Sequence, residues 1–61
     1  MNKKILKQFC GSRVTLILQN GFSYTGVMPY EIGETFTFID KFGGKCIIIT
    51  DYVKMINEAR K

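Results

Sequence analysis

Apolar and polar residues alternate through most of this chain, and glycine-containing turns interrupt the alternation at short intervals. Side chains of a β-strand point to opposite faces in turn, so a period of two is typical of a strand with one buried face. The clearest examples are the segments RVTLIL (13–18) and TFTFID (35–40). The pattern predicts a fold that is mainly β.

The turns divide this region into five short strands. Asn20-Gly21 predicts a hairpin with a type I′ turn, in which both central residues have positive φ. Gly43-Gly44 predicts a second tight turn, and Pro29 is expected to weaken pairing because it has no backbone N–H. Gly26, inside a strand, indicates a sharp bend or a close approach of another backbone. We therefore expect a strongly bent antiparallel sheet or a small open barrel of the SH3-like kind.

Before the strands, the apolar residues recur at the spacing of a helix. Asn2 is a suitable N-cap, and Gly11 suits the position that follows a helix. Between them, one helical stripe carries Ile5, Leu6, Phe9 and Cys10. We expect a helix over residues 3–10 and strands between residues 12 and 60, in a single domain of residues 1–61.

A chain of 61 residues can bury only about 60% of its unfolded surface. Domains this small usually gain stability from disulfides, a metal or oligomerisation. Cys10 and Cys46 allow one bridge at most, and without histidine the ligands for a zinc site are too few. The sequence shows no secretory signal and no apolar run near the roughly 20 residues of a membrane span. We expect a soluble cytoplasmic protein with reduced cysteines, no metal, no cofactor and self-association.

Three consecutive isoleucines, Ile47, Ile48 and Ile49, cannot all point to one face of a strand. A strand with two apolar faces needs a covering on each side. An open barrel also leaves two edge strands that invite pairing with other chains. We therefore expect one face of this strand to pack in its own core and the other against a neighbouring subunit, as in a cyclic oligomer.

Two segments resemble the motifs of the Sm/Lsm family. VTLILQNGFSYTGVM (14–28) is similar to the first Sm motif, and IITDYVKMI (48–56) is similar to the second. The resemblance implies an Sm-like barrel that assembles into a ring of six or seven subunits, with the isoleucine strand and the last strand pairing between neighbours. The implied subunit interface contains Ile47, Ile48, Ile49, Val53 and Met55.

The resemblance also implies binding of single-stranded RNA near the pore, although parts of the uridine pocket are missing. In the loop PYEIGET (29–35), Glu31 corresponds to the family's acidic residue and Thr35 lies nearest its asparagine. Ile32 or Gly33 falls near the base-stacking position, or Tyr30 stacks if the loop is rearranged. Ile49-Thr50 stands where the family has Arg-Gly, and TDY does not supply the Lys-His pair of the Hfq branch. The pocket is therefore expected to be degenerate, with weak base selectivity from Tyr30, Thr35, Thr50 and Asp51.

The formal net charge of +4 favours a polyanionic partner, although a basic surface kept for solubility gives the same charge. Lys3, Lys4 and Lys7 oppose the helix dipole, which hints at a use outside the helix. We expect them to provide most of the affinity for single-stranded RNA. The alternatives are a structural ring without nucleotide recognition, or an SH3-like barrel that binds proteins. The chain has no histidine and no visible pairing of a nucleophile with a base, so we do not expect an enzyme.

Overall fold

The helix that opens the chain is shorter than the sequence predicts. A computed structural model describes residues 1–59, and α1 spans Lys3–Lys7 instead of residues 3–10. Asn2 caps it as predicted, because its side-chain Oδ1 accepts the backbone N–H of Lys4 at 2.6 Å. The helix ends earlier, with Gln8 as its C-cap, so the prediction that Gly11 directly follows the helix is wrong; Gly11 has φ of 80° within the turn residues that come after.

So short a helix presents a narrow buried stripe. Leu6 is fully buried, whereas Ile5, which was predicted on the same buried stripe, is exposed. Phe9 and Cys10 pack against the core from the turn residues that follow the helix. Within residues 1–59, no helix has the length and hydrophobicity that a membrane span requires.

The predicted five-stranded antiparallel sheet is confirmed. Its strands are β1 (Arg13–Leu18), β2 (Ser23–Val27), β3 (Thr35–Asp40), β4 (Lys45–Ile49) and β5 (Val53–Glu58). One 3-10 turn, Thr50–Tyr52, connects β4 to β5. The strand order is β4-β3-β2-β1-β5, so the sheet is open, with β4 and β5 as its two edges.

The β1–β2 hairpin forms where the sequence predicts it, but the prediction of a type I′ turn is wrong. The Leu18 N–H donates to the Phe22 carbonyl at 2.8 Å, and the Gly21 N–H donates to the Leu18 carbonyl at 2.9 Å. Gly21 has φ of 89°, whereas Asn20 does not have a positive φ. The loop has three residues instead of two, so only the glycine needs the left-handed conformation. The side chain of Asn20 instead accepts the Phe22 N–H at 3.0 Å.

The β3–β4 hairpin repeats this geometry. The Asp40 N–H donates to the Gly44 carbonyl and the Gly43 N–H donates to the Asp40 carbonyl, each at 2.9 Å. Gly43, with φ of 86°, takes the place that Gly21 has in the first hairpin. One carboxylate oxygen of Asp40 accepts the N–H groups of Phe42 and Gly44. The Asp40 side chain, at the end of β3, therefore holds the backbone of the turn in place.

The core lies on one face of the sheet, beneath α1. The alternating residues of β1 and β3 point into it as predicted, and the loop between β2 and β3 adds Met28 and Ile32. Its buried apolar residues are Leu6, Val14, Leu16, Leu18, Met28, Ile32, Phe36, Phe38, Ile48 and Val53.

The predicted close approach at Gly26 is confirmed. Gly26 lies opposite Asp40 in the short β2–β3 ladder, which contains only one other pair, Val27 with Ile39. A Cβ at position 26 would overlap the carbonyl oxygen of Ile39 and crowd the Cα of Asp40. Only glycine lets the two backbones come this close.

We expect Gly26→Ala to lower the free energy of unfolding by about 3 kcal/mol, because the added methyl meets backbone atoms that cannot rotate away. Gly33→Ala is the matched control, since a Cβ there meets no atom closer than 3.8 Å; it should change stability by less than about 0.5 kcal/mol. Urea denaturation measures both. Equal stability of the two variants would contradict the close contact.

Candidate nucleic-acid interface

The loop between β2 and β3 borders an open depression of about 520 Å³. Lys7 of α1, Tyr30 of the loop and Thr35 of β3 all line it, together with Glu31. The structure thus brings Lys7, from the start of the chain, together with two further predicted RNA contacts, Tyr30 and Thr35. An ammonium, an aromatic ring and a hydroxyl are groups that can contact a phosphate, a base face and a base edge.

Tyr30 is the aromatic residue of this depression. Its side chain is 77% exposed, and it lies against Gly11, where a Cβ would overlap the Tyr30 hydroxyl. The Tyr30 carbonyl also accepts the S–H of Cys10 at 3.9 Å. Of the other two residues considered for base stacking, Ile32 is buried in the core and Gly33 has no side chain. Of these three residues, Tyr30 alone offers a ring that a base could reach.

Thr50, which follows β4, is joined to this loop by hydrogen bonds. It is only 2% exposed, and its hydroxyl donates to the Gly33 carbonyl at 2.5 Å. Its backbone N–H donates to the Glu34 carbonyl at 2.8 Å, and its own carbonyl accepts the Met1 ammonium at 3.0 Å. The predicted RNA contact at Thr50 is thus a buried side chain that positions the loop. No motif in the sequence predicts the hydrogen bond from the Met1 ammonium to Thr50.

The remaining predicted contacts lie outside the depression. Lys3 and Lys4 are exposed on α1, but Lys7 alone of the three helix lysines reaches the lining. Asp51 is exposed in the 3-10 turn and does not line the depression. Thr37, which the sequence did not single out for binding, lines it beside Thr35, because both point to the same face of β3.

The isoleucine strand separates its side chains as the alternation requires. Ile48 is 4% exposed and packs in the core, whereas Ile47 is 76% exposed and Ile49 is also exposed. On the other edge strand, Val53 is buried and Met55 is exposed. The side chains of Ile48 and Val53 therefore belong to the core of the chain itself, which corrects the predicted interface at these two positions. Ile47, Ile49 and Met55 can still face a neighbour.

Comparisons with protein-family models, with curated proteins and with solved structures found no match to this chain. The likeness to the Sm motifs therefore stays a prediction from the residues.

We expect Thr50→Val to lower the free energy of unfolding by about 1–2 kcal/mol, because it removes the hydroxyl donor to the Gly33 carbonyl while keeping the side-chain volume. Thr37→Val, at an exposed site on β3, is the matched control and should change stability by less than about 0.5 kcal/mol. Thermal and urea unfolding give both values. A neutral Thr50→Val would show that the hydroxyl does not hold the loop.

Proposed function

We propose that this chain is an Sm-like protein that forms a homo-oligomeric ring and binds single-stranded RNA. The observation that carries the RNA part is the depression where Lys7, Tyr30 and Thr35 converge. It combines a cation with an exposed aromatic ring, the two elements that bind single strands without strict sequence preference.

In this proposal, α1 and the loop contact different parts of the RNA. The ammonium groups of Lys3, Lys4 and Lys7 attract phosphates, while the ring of Tyr30 stacks on a base, an interaction that typically contributes ~1–3 kcal/mol. The Thr35 hydroxyl adds a hydrogen bond to a base edge. Ile49 stands where the family has its base-contacting arginine, so discrimination between bases is expected to be weak.

The open sheet supports the ring. β4 and β5 are edge strands, and each carries outward apolar side chains, Ile47 and Ile49 on one and Met55 on the other. Pairing of β4 in one subunit with β5 in the next would satisfy the backbone groups of both edges and bury these side chains. A ring would also repeat the three helix lysines around one face, which raises the local density of positive charge.

We expect the protein to sediment at six or seven times its chain mass of 7.0 kDa, and Ile49→Lys to sediment as a smaller species. A lysine buried between paired edge strands costs several kcal/mol, because its charge has no partner there. Phe22→Lys, which places the same exposed charge in the β1–β2 turn, is the matched control and should keep the mass of the unchanged protein. Sedimentation equilibrium measures all three.

A monomeric unchanged protein would contradict the ring directly. An unaltered mass for both Ile49→Lys and Ile47→Lys would instead contradict the assignment of this edge.

We expect replacement of Lys3, Lys4 and Lys7 by glutamine to weaken binding of uridine-rich and adenosine-rich oligonucleotides alike. The slope of log K against log salt should become shallower by about 2, because each lost phosphate contact removes ~0.7 for a single strand. Replacement of Lys41, Lys45 and Lys54 by glutamine changes the net charge equally and is the matched control. Fluorescence anisotropy at several salt concentrations gives the slopes.

Thr35→Ala should change the affinity little. Strong preference of the unchanged protein for uridine would contradict the weak base selectivity proposed here. Undetectable binding at low salt, with the ring intact, would favour the structural ring.

A further inference from the structure

A row of exposed residues crosses the outer face of the sheet, on the side away from the core. Arg13 of β1 lies opposite Val27 of β2, Val27 opposite Ile39 of β3, and Ile39 opposite Lys45 of β4. Directly opposed residues project to the same face, so the four side chains form one continuous line, here called the outer row. It has a cation at each end and two β-branched side chains between them.

Val27 and Ile39, the middle of the outer row, line a groove of about 500 Å³. Val27 is 52% exposed and Ile39 is 47% exposed, so both present apolar surface that solvent can reach. Pro29 and Tyr30 also line the groove. A concave apolar surface of this size is typical of binding sites in which a few polar groups set the orientation of the ligand.

The charges at the groove are mainly positive. Arg13 and Lys41 line it, and Lys45 follows Ile39 in the outer row. One carboxylate, Asp40, also lines the groove, but an oxygen of it accepts two backbone N–H groups of the β3–β4 turn. An apolar ligand with negative charges on either side would therefore be complementary.

We propose that the outer row binds an extended peptide segment of a partner protein in which two acidic residues flank an apolar one, in the order acid–x–apolar–x–acid. Neighbouring strands lie about 4.8 Å apart, so the outer row spans roughly 14 Å from Arg13 to Lys45. An extended peptide advances about 3.3 Å per residue, so positions i and i+4 lie about 13 Å apart and share a face with i+2.

The spacing places an acidic side chain over each terminal cation and the apolar one between Val27 and Ile39. The centre of the outer row favours a peptide over RNA, because bases stack on aromatic rings and Val27 and Ile39 are aliphatic; Tyr30, the aromatic residue of the groove, lies outside the row. The site goes beyond the proposed RNA function and does not need it. Pairing at the free side of β4 would cover Ile47 and Ile49 but leave Val27 and Ile39 open, because these two lie on β2 and β3.

The test is titration of the protein with a short fluorescein-labelled peptide containing Asp-Ser-Leu-Ser-Glu, followed by anisotropy and by backbone amide shifts. Saturable binding is expected, with the largest shifts at Val27 and Ile39. Arg13→Gln and Lys45→Gln should each weaken it by about threefold, the size expected for one exposed ion pair. Lys54→Gln, an exposed lysine of β5 outside the outer row, is the matched control and should not change it.

A charge exchange separates this recognition from general attraction to a basic protein. A peptide with lysine at both acidic positions should bind the double variant Arg13→Glu, Lys45→Glu better than it binds the unchanged protein. Urea unfolding confirms that each variant remains folded. Oligomeric mass and RNA affinity are measured in parallel, so failure here is distinguishable from failure of the proposed ring or RNA binding.

Three results would overturn the proposal. The first is no saturable binding up to about 1 mM peptide, the weak end of specific affinity. The second is equal weakening by Lys54→Gln, which would reveal unspecific charge attraction. The third is a larger effect of a single-stranded oligonucleotide than of the peptide on the amides of Val27 and Ile39, which would make RNA the occupant.

Discussion

The contact between β2 and β3 at Gly26 joins the two parts of the sheet. On one side, β1 pairs along its length with both β2 and β5; on the other, β3 pairs along most of its length with β4. The ladder between β2 and β3 has only the pairs Gly26–Asp40 and Val27–Ile39, extended by the N–H of Lys41 donating to the Thr25 carbonyl at 2.7 Å. So short a joint requires close backbones, and a side chain at position 26 would prevent this.

The brevity of this joint explains where both candidate surfaces lie. β2 ends at Val27, whereas β3 begins four residues before Ile39, so the first part of β3 has no strand beside it on that side. The loop after Met28 occupies this region, buries Ile32 in the core and leaves Tyr30 outside. Thr50 then binds the loop through Gly33 and Glu34. The depression and the groove are the spaces that remain around that loop.

Tyr30 and Thr37 line both the depression and the groove. A ligand in either one would therefore contact a wall of the other. If RNA occupies the depression and a peptide occupies the groove, as proposed, each would alter the surface that the other meets. The coupling would be reciprocal, because a change in one binding free energy must be matched in the other.

Much of the fold follows from the sequence alone. The alternation in β1 and β3, the Asn2 cap, the hairpins at Gly21 and Gly43 and the close approach at Gly26 are local features, and each was predictable from spacing or from one residue's conformational range.

Only the tertiary structure decided which candidates could meet a ligand. Tyr30 is exposed and Ile32 is buried because the loop packs against the core. The Thr50 side chain cannot contact a ligand because it is buried and its hydroxyl donates to the carbonyl of Gly33, a residue distant in the sequence. The outer row could not be predicted from the sequence either, since it depends on the register of four strands. Periodicity specifies the face of a strand that is buried, but neighbours across a sheet are set by long-range packing that no local pattern encodes.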